Sequence, residues 1–230
     1  MPKRLERIAA LIPDGRGVAD VGTDHGYVPV MLARRGYPGV IIATDINAGP
    51  LKSAVSSAEE SCVSDRISFV LCDGLSKVTP SSVDTIVIAG MGGDTITGIL
   101  DRDYWCAEPG YKLVLQPMSH QNVLRYWLIN NEFKITHEEL VRDGGAIYQI
   151  FCAEPGRGAR YSDAELFTGK YESICGDPLF AEYLDGLTAK FSAAIRGMEK
   201  GAECARLELN REVLNGLEDM KGRLNNDKHR

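Results

Sequence analysis

Along the first 150 residues, short apolar runs alternate with longer segments whose apolar positions recur every three or four residues. The runs Val18–Val21, Gly39–Asp45, Ile67–Gly74, Asp84–Gly93 and Tyr111–Met118 are rich in Val, Ile and Leu with little polar alternation. That pattern predicts strands buried on both faces. Between them, residues 2–11 place Leu5, Ile8, Ala9 and Ile12 on one helical face, and Tyr27–Arg35, Ala48–Ser61, Thr95–Leu100 and Gln121–Asn130 read as further helices. Pro13-Asp14-Gly15 ends the first helix, Pro29 is tolerable in the first turn of the second, Pro50 opens the third, and Pro117 stops the fifth strand. Phe133–Val141 and Ala146–Ala153, joined at Asp143-Gly144-Gly145, read as an antiparallel hairpin.

Five strand-then-helix units followed by a hairpin predict an α/β fold: a mostly parallel seven-stranded sheet, covered on both faces, in a Rossmann-like domain spanning residues 1–154. Glu154 to Arg160 is a linker by composition, and residues 161–230 carry helical patterns only. Leu179, Phe180, Tyr183, Leu184, Leu187, Phe191, Ala194, Ile195 and Met198 recur at helical steps, as do Leu207, Leu214, Leu217, Met220 and Leu224. With a turn at Lys200-Gly201-Ala202, this predicts a coiled-coil hairpin of two antiparallel helices; one long helix is the alternative.

Composition narrows the class. The net charge of −6 gives no global positive field for nucleic acid, which excludes a non-specific polyanion binder but not an enzyme with a local basic face. Lys3, Arg4, Arg7, Arg34, Arg35 and Arg125, with those of the helical tail, are the basic residues available for such a face. The six cysteines and four histidines are scattered without metal-ligand spacing, so no metal is expected. No run approaches the ~18 apolar residues of a membrane span, and the first residues lack the apolar core of a signal peptide. Reduced cysteines and a cytoplasmic location are the expectation. The oligomeric state is open, with a monomer the preferred reading.

The chemistry concentrates in Ala19-Asp20-Val21-Gly22-Thr23-Asp24-His25-Gly26-Tyr27, where the first strand turns into a helix. A dinucleotide fold uses G-x-G-x-x-G so that backbone N–H groups approach a pyrophosphate. This loop instead reads Asp20-x-Gly22-x-x-x-Gly26, and its carboxylates would repel an anion. S-adenosyl-L-methionine has no phosphate and carries a sulfonium and an α-ammonium group, so an acidic loop favours it. The other strand ends agree. Asp45, with Ile46 beside it, can accept both ribose hydroxyls. Asp73 can accept from the adenine amino group, with Gly74 beside it. Gly90 permits close approach of the cofactor, and Met91 lines the pocket. Four such features at the carboxyl ends of successive parallel strands form one site.

The segments Arg4-Leu5, Asp20 to Pro29, Gly49-Pro50, Asp84 to Gly93 and Leu115-Gln116-Pro117 together resemble the bacterial tRNA (adenine-N1)-methyltransferases that modify adenine 22. The resemblance covers the first ~154 residues closely and the remainder in architecture. It implies a Rossmann-like methyltransferase domain with a C-terminal coiled-coil domain, S-adenosyl-L-methionine as cofactor and tRNA as partner. The chain departs from the family pattern at Met118, where Asn usually follows Gln-Pro, and at Arg142 and Gln149.

On that reading Asp20 orients the loop or holds the methionine portion of the cofactor. Asp24 is the candidate catalytic carboxylate, accepting from the exocyclic amine of the target base; capping of the following helix is its other reading. His25 orders the loop or meets a phosphate. Tyr27 either stacks on the base or packs into the core. Gln116, Pro117 and Arg4 complete the substrate-binding set. A methyltransferase acting on another substrate, and a non-catalytic RNA-binding module with a vestigial cofactor site, are the competing functions.

Overall fold

The computed structural model describes residues 2–198 and 204–227. The turn expected at Lys200-Gly201-Ala202 lies outside the described residues. Contacts divide the chain into two units, Met1–His137 with Val141–Gly158, and Glu138–Leu140 with Ala159–Arg230.

In the first unit the strands are β1 (Gly17–Val21), β2 (Val40–Asp45), β3 (Ile67–Leu71), β4 (Thr85–Gly92), β5 (Lys112–Ser119), β6 (Phe133–Asp143) and β7 (Ala146–Pro155). They form a seven-stranded sheet in the order β3-β2-β1-β4-β5-β7-β6. β1 to β5 are parallel, and β7 runs antiparallel to β5. The helices are α1 (Lys3–Leu11), α2 (Tyr27–Arg34), α3 (Ala48–Glu60), α4 (Gly93–Arg102) and α5 (Gln121–Asn130).

Alternation along the buried strands builds two cores. Val18, Ile41, Ala43, Val87 and Val114 pack with Ile8, Val28, Leu32 and Ala58 of α1 to α3. Ala19, Val21, Ile86, Ile88, Leu113 and Leu115 pack with Ile96, Leu100, Leu124 and Leu128 of α4 and α5. Successive side chains of a strand point to opposite faces, so near-continuous apolar runs are what a sheet covered on both sides requires.

Three local expectations change. Pro117 does not stop β5, which continues to Ser119 with Pro117 opposite Met91. The pairing of β5 with β7 covers only Leu113 to Leu115, so the missing N–H of Pro117 leaves no gap in that ladder. The helix after β4 begins at Gly93 rather than Thr95, directly from the Gly90–Gly92 end of the strand, where the register shifts around Met91. Pro50 is the third residue of α3 rather than its first.

The second unit contains α6 (Asp163–Thr168), α7 (Tyr171–Ile174), α8 (Phe180–Met198) and α9 (Cys204–Asp227). Ser162 and Glu165 form a capping box that starts α6. Glu138 accepts from the Lys170 N–H and Leu140 N–H donates to Asp177, which explains why these residues of β6 group with the helices. Contacts of Asp185 with Lys221 and of Met198 with Asn210 show that α8 and α9 run antiparallel, as two helices rather than one. Phe180, Leu184, Phe191 and Ile195 of α8 and Val213, Leu217, Met220 and Leu224 of α9 are buried, with Phe180 and Phe191 meeting the rings of Tyr171 and Phe167. Val213 is buried where Leu214 was expected; Leu214 is half-buried.

Candidate active site

At the carboxyl ends of β1 to β4 lies a cavity of about 850 Å³. It straddles β1 and β4, where the strand order reverses direction and a ligand crevice opens in doubly wound sheets. Asp20, Gly22, Asp45, Ile46, Asp73, Gly74, Gly90 and Met91 all line it, as do Asp24, His25, Tyr27 and Arg4. Gln116 and Pro117 do not. Gln116 is fully buried, and its amide donates to the Pro117 carbonyl at 3.0 Å.

Hydrogen bonds tie the loops together. Gly22 and Thr23 both donate their N–H to the Thr44 carbonyl at 2.9 Å, and Thr44 Oγ1 donates to the Gly74 carbonyl at 3.0 Å. Asp45 is buried at the centre of this arrangement. Its carboxylate accepts from the Asn47 N–H at 2.8 Å and from the Asp24 N–H at 3.3 Å. The backbone of the first loop is thus fixed by the carboxylate that closes the second strand.

Gly22 has a φ of 70°, and a Cβ built there would stand 2.0 Å from Met91 Cε. Gly90 has a φ of 79° with open space around it, so backbone conformation alone requires glycine there. Gly22→Ala is expected to cost about 1–2 kcal/mol of stability from the left-handed backbone. It also forces Met91 to shift within the cavity wall, so cofactor affinity falls with it. Thermal unfolding and calorimetric titration of the variant check both effects.

Asp20 is buried in β1, and desolvation pushes its carboxyl up to about 6; the Asp45 charge adds to the rise, and the nearby Thr23 hydroxyl offsets part of it. Thr23 Oγ1 is itself buried without a partner in good hydrogen-bond geometry. Asp24, by contrast, leaves its side chain 68% exposed, with His25 Nε2 3.7 Å from Oδ2 and the His25 and Tyr27 rings 5.5 Å apart. Asp24 has a φ of 52°, and the residue capping α2 is Gly26, with no side-chain cap bond. The capping reading of Asp24 is therefore set aside. Tyr27 is half-buried beside it.

Sequence reasoning missed several neighbours. Arg102, in the last turn of α4, grips both oxygens of Asp73 at 2.6 and 2.8 Å. Asp94 pairs with His120 just outside the lining residue Thr95, and His120 holds a left-handed φ of 54°. Two expected surface cations are otherwise engaged. Arg125 is fully buried with its guanidinium 4.2 Å from the Phe151 ring centre, and Arg35 donates to the carbonyls of Ala9 and Ile12.

Among the described residues there is no cluster of His, Cys, Asp or Glu able to hold a metal, and no helix long and apolar enough to cross a membrane. A family model described as a methyltransferase domain matches residues 1–151. The tRNA (adenine(22)-N(1))-methyltransferase of Bacillus subtilis is 31% identical over 95% of this chain and 93% of its own length. The crystal structure of the B. subtilis M1A22 tRNA methyltransferase TrmK is similar at 27% identity and a TM-score of 0.78, covering 98% of this chain and 97% of that one. Sp1610 of Streptococcus pneumoniae, solved with S-adenosyl-L-methionine, is 28% identical with a TM-score of 0.81 over 95% of this chain and 98% of that one. Fold, cavity and near full-length similarity agree, and the chain belongs to the tRNA (adenine(22)-N1)-methyltransferase family.

Proposed function

We propose that the protein methylates N1 of an adenine in tRNA, at position 22, using S-adenosyl-L-methionine. The observation that carries this is the acidic cavity at the ends of β1 to β4, in a chain that matches the B. subtilis enzyme along almost its whole length. A tRNA substrate makes the cytoplasm the place of action.

The lining suits a cation. Asp20, Asp24, Asp45 and Asp73 are carboxylates, and the two arginines among the lining residues, Arg4 and Arg102, are each already paired with an aspartate. A buried carboxyl with a raised pKa, with the buried Thr23 hydroxyl beside it, is a group that an ammonium donor would satisfy. Asp20 would hold the α-ammonium, Asp45 the ribose hydroxyls, and the exposed Ile46 a face of the adenine ring. Asp73, oriented by Arg102, would accept from the adenine amino group. Bound there, S-adenosyl-L-methionine supplies a methyl group activated by a sulfonium.

Adenine N1 is neutral before the reaction and belongs to a cationic base after it. Asp24 accepts a hydrogen bond from the exocyclic amine of the target adenine, which raises electron density at N1 and stabilises the charge as it forms. Tyr27, beside Asp24, offers a ring for stacking on the exposed base. His25, its Nε2 3.7 Å from Asp24 Oδ2, stands where it can order the loop or meet a phosphate.

The test is to incubate the protein with unmodified tRNA transcripts and methyl-labelled cofactor, then digest and map the label by mass spectrometry. Label in 1-methyladenosine at position 22 is expected. Label on another base or a small molecule overturns the substrate, and tRNA binding without cofactor turnover would establish the RNA-binding module instead.

A further inference from the structure

We propose that Asp143, at the tip of the β6–β7 hairpin and outside the cavity lining, positions Arg4 to receive a backbone phosphate of the tRNA beside the target adenine. The proposal rests on the tRNA reading above.

Arg4 lies in the first turn of α1 and lines the cavity together with Pro2 and Leu5. Its Nη1 donates to Asp143 Oδ2 at 2.7 Å, and the Lys3 backbone N–H donates to Asp143 Oδ1 at 3.3 Å. The ring of Tyr148, on the returning strand, lies 5.5 Å from Arg4 Cζ. The ion pair is well shielded, with the two side chains 24% and 16% exposed. One carboxylate therefore fixes both the backbone and the guanidinium at the start of α1. The Nη1 bond to Asp143 uses one of the five guanidinium donors, so the fork is held but not saturated.

Charge decides what the held arginine can meet. The lining carboxylates Asp20, Asp24, Asp45 and Asp73 repel a polyanion, and the nitrogens of Arg102 are committed to Asp73 by two hydrogen bonds. Arg4 spends one hydrogen bond on Asp143 where Arg102 spends two on Asp73, and a guanidinium fork matches phosphate oxygens. A free arginine would lose its rotamer freedom when RNA arrives. Asp143 removes that freedom in the protein alone, so the cost does not fall on association. The contact is directional: pairing with Asp143 cancels most of the long-range field of Arg4.

Steady-state methylation of tRNA by the full chain tests this with Asp143→Asn, Asp143→Glu, Arg4→Gln and the double variant. Asp143→Asn is expected to raise KM for tRNA by about threefold to tenfold, with kcat and cofactor Kd unchanged. Asp143→Glu should recover part of the loss, and Asp143→Asn should add nothing in the Arg4→Gln background. An Asp143→Asn effect of full size on top of Arg4→Gln overturns the positioning role, as does unchanged KM when Arg4→Gln raises it. If Arg4→Gln leaves KM unchanged, the phosphate contact is wrong, although the methylation itself stands. Failure of the wild-type protein to methylate tRNA would be the separate failure of the functional reading. Thermal unfolding of each variant separates these outcomes from misfolding.

Discussion

Asp24→Asn is expected to lower kcat for tRNA methylation by about 10² to 10³ while leaving cofactor affinity unchanged. The size follows from what the substitution removes. An amide keeps the shape and one acceptor oxygen but not the negative charge, and it is the charge that opposes the cation developing on adenine. The side chain is open to water in the free protein. Its contribution becomes large only when the base enters and water leaves, since a charge in a dry site acts through a lower dielectric. Asparagine is the informative replacement because Asp24 holds a φ of 52°, a region Asn tolerates and Ala does not. The link to cofactor binding survives as well, because Asp45 is contacted by the backbone N–H of Asp24 rather than by its side chain. Single-turnover rates with saturating tRNA, beside a calorimetric titration of the cofactor, check both halves. A wild-type rate would remove Asp24 from the chemistry.

The cavity was legible in the sequence because parallel strands bring their carboxyl ends to one edge. Asp20, Asp45, Asp73 and Gly90 needed only the recognition of four strand ends to be placed together. What could not be read were contacts whose partners are far apart in the chain and belong to no repeating pattern. Asp143 and Arg4 are separated by 139 positions, and nothing local to either marks the pairing. Arg102 and Asp73 meet for the same reason, across two connections of the fold. Pro117 stays within a strand because the rule against proline there assumes a neighbour on both sides, and β7 pairs with β5 only as far as Leu115. The charge of Arg125 predicts a surface position, whereas Phe151 supplies a ring for it within the core. The shift from Leu214 to Val213 is a one-residue rotation of α9 that apolar spacing does not resolve when both positions are apolar.

For Asp20 the expected result is a trade of affinity against stability. Burial pushes its carboxyl up to about 6, so in the free protein it is largely ionised at pH 7.5 and largely protonated at pH 5. An α-ammonium partner favours the ionised form, so binding near pH 5 must expel a proton. Cofactor affinity is therefore expected to fall about tenfold between pH 7 and pH 5. Asp20→Asn should weaken binding at pH 7.5 by about a hundredfold or more, as loss of one partner of a buried charge pair does, and should flatten the pH dependence. The sign for stability is opposite. The raised value means that the neutral carboxyl is favoured in the fold, so its contribution is complete below the unfolded value near 3.8 and is lost as pH rises through about 6. Above that pH the buried charge costs on the order of 3 kcal/mol, since each pH unit corresponds to about 1.4 kcal/mol. Without cofactor, Asp20→Asn is thus expected to unfold at a higher temperature than the wild type at pH 8 and to lose most of that advantage at pH 4. With saturating cofactor at pH 8 the gap should nearly close, because binding tighter by a hundredfold returns about 2.7 kcal/mol to the wild type alone. Thermal unfolding of both proteins at the two pH values, with and without S-adenosyl-L-methionine, measures all of these terms. A variant less stable than the wild type at pH 8 without cofactor would show that Asp20 is held charged by the fold itself rather than kept for a cationic ligand.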